Sequence, residues 1–186
     1  MDEVDIFVHT AAPFVIDQKD DPGYLARKTA QYYITALEVA EVMKVPKVVL
    51  LSSLTAVLGM EAMSATNPEK LYDEKYVLGE PELEAIKHET TGHRYINAKV
   101  EAEKAIWEHV ESLRNRDKLT YEVTTLCPGF IFGPNLNKNW FQVGDFISGM
   151  IENAPTEDEG TAYTIVDVRD VAKLHLEAAK RKVAEN

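Results

Sequence analysis

The residues best suited to chemistry lie in HRYINAKVEAEKAIWEHV, residues 93 to 110, where Tyr95 stands four positions ahead of Lys99. On a helix that spacing puts both side chains on one face, one turn apart. A free phenol has a pKa of about 10 and is a poor proton shuttle near neutrality. A neighbouring ammonium favours the phenolate and brings that pKa down. Such a pair suits proton transfer to or from a substrate oxygen. By itself it is weak evidence, because Tyr24 and Lys28 repeat the spacing, and the ordinary reading is a core tyrosine beside a solvated lysine.

The elements that must position the pair strengthen it. KVVLLSS, residues 47 to 53, is a continuous apolar run ending in Ser52 and Ser53, as expected of a strand buried on both faces. VDIFVHT, residues 4 to 10, reads as another strand and ends in Ala11, Ala12 and Pro13. YEVTTLCPGFIFGP, residues 121 to 134, reads as a strand stopping at Pro128-Gly129, and a further strand lies within residues 162 to 168. Helices are expected over 23 to 45, where Leu25, Tyr33, Leu37, Ala40 and Met43 recur at helical steps until Pro46, from the Tyr95 segment to about Leu113, and from about Asp170 to Lys180. Residues 60 to 92 are polar and irregular. Buried strands alternating with helices predict an α/β fold with a parallel sheet. Ligands of such sheets bind beyond the carboxyl ends of the strands. Small or turn-forming residues at three strand ends let a flat ligand approach the backbone. A hydroxyl such as Ser53 could hold a substrate oxygen while Tyr95 moves the proton. The hydride that would accompany this proton needs a cofactor.

Composition narrows the rest. A chain of 186 residues fits one domain with a real core. A formal net charge of -11 argues against nucleic acid and anionic membrane surfaces as partners. The single cysteine, Cys127, rules out an internal disulfide and a cysteine-based zinc cluster. No apolar run reaches the ~18 residues of a membrane span, the first residues do not resemble a secretory signal, and a cytoplasmic location is expected.

Taken in order, VDIFVHTAAPF, KVVLLSSLTAV, YINAKVEAEKAIWE, CPGFIFGPN and IVDVRDVAKLHLEA resemble the extended short-chain dehydrogenase/reductase superfamily. Within it they look most like the NADPH-dependent dihydroflavonol reductase, cinnamoyl-CoA reductase and fungal methylglyoxal (aldehyde) reductase group. The resemblance implies a catalytic Ser53 holding the carbonyl oxygen, Tyr95 as acid/base, and Lys99 binding the nicotinamide ribose and depressing the tyrosine pKa. It implies cofactor contacts at Ala11, Ala12 and Ser52 and at the turn Pro128, Gly129, Phe130 and Ile131. Phe14, Phe132 and the loop running to Trp140 would wall the substrate, though core packing explains Phe14 and Phe132 equally well. The cofactor would be NADP, with NAD open, and the substrate a small aldehyde or ketone.

Two departures accompany the resemblance. The family begins with a strand, a Gly-x-x-Gly-x-x-Gly turn and a helix, which bring the pyrophosphate to a helix N-terminus. None of the nine glycines here forms that pattern, and the family would carry roughly sixty to seventy residues ahead of Met1. The expectation is a single truncated Rossmann-like domain over 1 to 186 that lacks the first half of the dinucleotide-binding fold. It would include part of a substrate lobe, about 133 to 165, and its activity would be impaired. Residues 4 to 10 would then form an exposed sheet edge open to self-association, while the family often pairs subunits through the helices near 24 to 44 and 95 to 113. The second departure is Thr35, which stands where the family carries an asparagine supporting the active-site lysine. A non-catalytic relic or interaction module and a sugar-nucleotide epimerase/dehydratase remain alternative readings.

Overall fold

The computed structural model describes residues 4–13, 21, 23–59, 91–136, 144, 148–149, 151–152 and 164–182. Strand β1 (Phe7–His9) is followed by helix α1 (Tyr24–Val42), strand β2 (Lys47–Leu51) and the short helix α2 (Leu54–Leu58). Helix α3 (Thr91–Arg114) leads to β3 (Glu122–Leu126) and β4 (Phe130–Phe132); β5 (Ile165–Asp167) runs directly into helix α4 (Val168–Lys180). The architecture is α/β with parallel sheets and flanking helices, as the alternation of elements predicts.

β1, β2 and β3 form one parallel sheet in that order, with Val8 beside Val49 and Val49 beside Thr124. Central β2 buries Lys47 through Leu50, which explains its unbroken apolar run. Lys47 is buried at the start of this strand. Its ammonium meets the Glu122 carboxylate at 3.2 Å and donates to the Arg181 carbonyl, tying the end of α4 to the first sheet. Among the described residues β1 is an edge strand, and Val4, Ile6 and Val8 beside or on it are exposed.

Helix α1 buries Leu25, Ala26, Thr29, Tyr33, Ala36, Leu37 and Ala40, a stripe at three- and four-residue steps. It stops before Pro46. Lys44 adopts φ 54°, its N–H bonds to the Glu41 carbonyl, and the Val45 N–H bonds to the Ala40 carbonyl at 2.9 Å. This left-handed C-terminal motif closes the helix without a glycine. Helix α3 ends the same way at Asp117, with Lys118 N–H on the Leu113 carbonyl. The two helices pack on each other over the sheet. The core joins Tyr33, Leu37 and Ala40 of α1, Val48 and Leu50 of β2, and Ala102, Ile106 and Val110 of α3.

Within 121 to 134 the strand stops before Pro128-Gly129 as expected, but a second, unexpected strand follows and belongs to a different sheet: β3 lies in the three-stranded sheet and β4 pairs in parallel with β5. The break falls at Cys127-Pro128-Gly129, where proline has no N–H to continue a ladder. Gly129 is demanded by packing. A Cβ there would stand 2.3 Å from the Thr164 carbonyl oxygen, the same oxygen that accepts from Phe130 N–H at 2.8 Å. Of residues 60 to 92, read as irregular, 60–90 lie outside the described residues, whereas Thr91 and Gly92 already belong to α3.

Candidate functional site

The ends of β2 and β3 are drawn together beyond the ladder proper. Ser52 N–H donates to the Leu126 carbonyl at 2.7 Å and Leu54 N–H to the Pro128 carbonyl at 2.8 Å. Ser53, buried between them, has extended backbone and caps α2: its hydroxyl oxygen accepts from Thr55 N–H at 3.2 Å and lies 2.9 Å from the Thr55 hydroxyl. Its side chain also hydrogen-bonds Tyr95 of α3. Residues 42 positions apart in sequence are thus brought into one hydroxyl–phenol pair.

Lys99 is buried one turn further along α3. Its ammonium donates to the Tyr33 hydroxyl at 3.1 Å and lies 5.5 Å from the centre of that ring and 5.8 Å from the Tyr95 ring. The Tyr33 hydroxyl in turn donates to the Leu51 carbonyl at 2.6 Å. The His9 ring, at the end of β1, stands edge-on to Tyr33 with centroids 5.6 Å apart. One turn beyond Lys99 is buried Glu103, whose Oε1 accepts from Trp107 Nε1 and from the Thr125 hydroxyl, both at 2.8 Å. The carboxyl ends of β1, β2 and β3 and the facing sides of α1 and α3 therefore meet in one partly buried polar cluster.

Burial decides the electrostatics. It pushes the Lys99 ammonium down to about 8, against the opposing pull of Glu103 and Cys127. It pushes the Cys127 thiol up to about 11, with the Glu103 charge adding to the effect, so this cysteine is not an activated nucleophile. Burial also raises the Tyr95 phenol, while the Ser53 hydrogen bond pulls the other way. The Lys99 ammonium, expected to depress the Tyr95 phenol, lies beside the Tyr95 ring and hydrogen-bonds Tyr33. Tyr33 is raised too, by burial first and then by Tyr95, Glu103 and Cys127.

Several sequence-derived candidates converge: Ser52, Ser53, Tyr95 and Lys99 join the cluster, and Pro128 reaches α2 through its carbonyl. Ala11 and Ala12 follow directly after His9; Ala11 is exposed and Ala12 packs on the core. Phe130, Ile131 and Phe132 form β4 in the second sheet, with the two phenyl rings 6.3 Å apart. Phe14 and Trp140 lie outside the described residues. Thr35 is exposed and is not the group facing Lys99; that place belongs to Tyr33, two residues earlier and fully buried. Sequence reasoning missed Tyr33 and Glu103. Glu103 continues the four-residue spacing of Tyr95 and Lys99, which was a usable signal; Tyr33 offered only a place on the apolar stripe of α1.

The sequence profile of the NAD dependent epimerase/dehydratase family matches residues 1–186. The chain belongs to this family. Among curated family relatives, the NADPH-dependent methylglyoxal reductase GRE2 of Saccharomyces cerevisiae is 28% identical over 189 residues, covering 97% of this chain and 54% of the relative. The putative NADPH-dependent methylglyoxal reductase GRP2 of Candida albicans is 29% identical over 190 residues, covering 96% of this chain and 52% of the relative. The chain spans about half the length of the curated relatives it matches. The crystal structure of the yeast methylglyoxal/isovaleraldehyde reductase Gre2 complexed with NADPH superposes with a TM-score of 0.70 at 25% identity, covering 96% of this chain and 53% of that one. Among the described residues, no helix is long and apolar enough to cross a membrane.

Proposed function

We propose that the chain carries the catalytic half of an NADPH-dependent reductase that converts a small aldehyde or ketone to the alcohol. The observation that carries this reading is the Ser53–Tyr95 hydrogen bond with buried Lys99 one turn away. The donor set suits a reduced dinucleotide: an ammonium has three N–H groups, Tyr33 engages one, and a ribose diol can accept the others. Ala11, Ala12 and Ser52, which follow β1 and β2, and the turn Pro128, Gly129, Phe130 and Ile131, which follows β3, would flank the cofactor. Bound there, NADPH supplies the hydride. Tyr95, kept protonated by its burial, gives its proton to the carbonyl oxygen, and Ser53 steadies that oxygen with a hydrogen bond.

The choice of NADP over NAD rests on the names of the relatives. The unit is read as one Rossmann-like domain with part of a substrate lobe over about 133 to 165, in a cytoplasmic protein. Phe132 is kept as a substrate wall on the strength of its place on β4, and Phe14 on sequence alone. The exposed edge at β1 supports self-association, which sedimentation at increasing protein concentration tests; a monomer at all concentrations removes it.

The reading as a whole is tested by titrating the chain with NADPH and with NADH, following nucleotide fluorescence. Saturable binding in the micromolar range, tighter for NADPH and weakened by Lys99→Ala, is expected. No saturation up to millimolar nucleotide overturns the reading for this chain.

A further inference from the structure

A buried ammonium needs an acceptor to hold it in place, because desolvation otherwise favours the neutral amine and lets the side chain wander. The family resemblance points to position 35 for that acceptor, yet Thr35 faces solvent. The acceptor is the Tyr33 hydroxyl, and it has a second task. Its own proton goes to the Leu51 carbonyl, the residue just before Ser52 and Ser53.

We propose that Tyr33 is a positioning residue: one phenol fastens the end of the serine-bearing strand to the helix that carries Tyr95 and Lys99, through the relay Lys99 N–H to Tyr33 O–H to Leu51 C=O. The hydroxyl uses its single proton on Leu51, so it can meet Lys99 only as an acceptor, and the ammonium's place is set. The Tyr33 ring is fixed as firmly as its oxygen. It is fully buried among core residues, with the His9 ring edge-on against it. Burial also keeps this phenol protonated, so the relay does not reverse near neutrality. The catalytic consequence rests on the reductase reading; the relay itself does not.

The test compares the wild-type chain with Tyr33→Phe, which keeps the ring and removes the oxygen. Nuclear magnetic resonance follows the titration of the Lys99 side chain, with Lys99→Arg assigning the signal. The groups facing that ammonium are His9 from β1, Tyr33 from α1, Tyr95 and Glu103 from α3 itself, and Cys127 after β3; all but Tyr33 are unchanged in the variant. The Lys99 midpoint falls by roughly half a pH unit or more in Tyr33→Phe, because a hydrogen bond to the charged form is lost. An unshifted midpoint in a folded variant overturns the proposal. If Tyr33→Phe does not fold, the wild-type hydroxyl proton decides: held on Leu51, it exchanges slowly with solvent, and exchange at the rate of a free tyrosine overturns the relay. Where the wild type turns over an aldehyde with NADPH, Tyr33→Phe lowers kcat by about tenfold or more with little change in the aldehyde KM. A wild type with no turnover counts against the reductase reading, while the titration still decides the role of Tyr33.

Discussion

The cluster around Lys99 and the small sheet of β4 and β5 with α4 obey opposite physics. In the first, most polar groups are buried and matched, Lys99 to Tyr33, Tyr33 to Leu51, Glu103 to Trp107 and Thr125, while His9 Nε2 and Glu103 Oε2 find no partner among the described residues. In the second, apolar groups face outward. Ile165 is 60% exposed, Leu174 51% and Leu176 59%, and Val171 is the one residue of α4 that is buried. Polar side chains hold fixed geometry only where apolar packing excludes competing water, and α1, β2 and α3 supply that packing. Among the described residues, precision is therefore concentrated on the side of Tyr95 and Lys99, and the β4–β5 side presents exposed apolar side chains of the kind that bind or aggregate.

The sharpest way to break the comparison is to strike the polar cluster at its acid. In a chain that turns over, Tyr95→Phe lowers the rate by roughly 10²- to 10⁴-fold, measured as NADPH consumption with an aldehyde. Near-wild-type turnover would remove Tyr95 from the chemistry. Next comes packing: Ile106→Ala in the closed core costs about 2–5 kcal/mol, whereas Leu176→Ala on α4 stays within about 0.5 kcal/mol. Urea unfolding reads both, and equal losses would show that the two regions are packed alike. Gly129→Ala probes the junction of the regions. The added methyl meets the Thr164 carbonyl, so β4 must part from β5 at a cost of about 1–3 kcal/mol. An unchanged melt would show that this pairing contributes nothing.

The smallest effect is one of slope. Burial holds Lys99 at about 8 against an ordinary 10.5. Between those values the unfolded chain binds more protons than the folded one, so this group's contribution to stability rises with pH across that window; below it the full cost of burying the charge is present. Measured against Lys99→Met, in which the neighbouring tyrosines and Cys127 are unchanged, the wild type gains relative stability as pH is raised from neutral to alkaline. A flat difference would mean that Lys99 titrates normally.

Much of this was legible beforehand, and the reason is local periodicity. Helical spacing placed Tyr95 and Lys99 on one face, and an unbroken apolar run marked β2 as central. Periodicity reports which face turns inward, not which distant group waits there. Tyr33 meets Lys99 across 66 residues and Glu103 meets Thr125 across 22, so neither partnership left a mark on local pattern. The doubt over the support at position 35 could not be resolved from sequence for that reason: spacing placed Thr35 on the right helix but could not show that Tyr33, two residues earlier, meets Lys99. The split of 121 to 134 between two sheets depended on how closely Thr164 approaches Gly129, again a contact between segments far apart in sequence.

The parallel pairings also set an order in time. β1 joins β2, β2 joins β3 and β4 joins β5 only across long intervening stretches, and the Lys47 bond to the Arg181 carbonyl closes a separation of 134 residues. Such closures are slow, because chain entropy is lost before contacts compensate it. On a ribosome, α1 can form early as a local element, while the lysine at the head of β2 waits for the next 134 residues to emerge before its partner at Arg181 arrives.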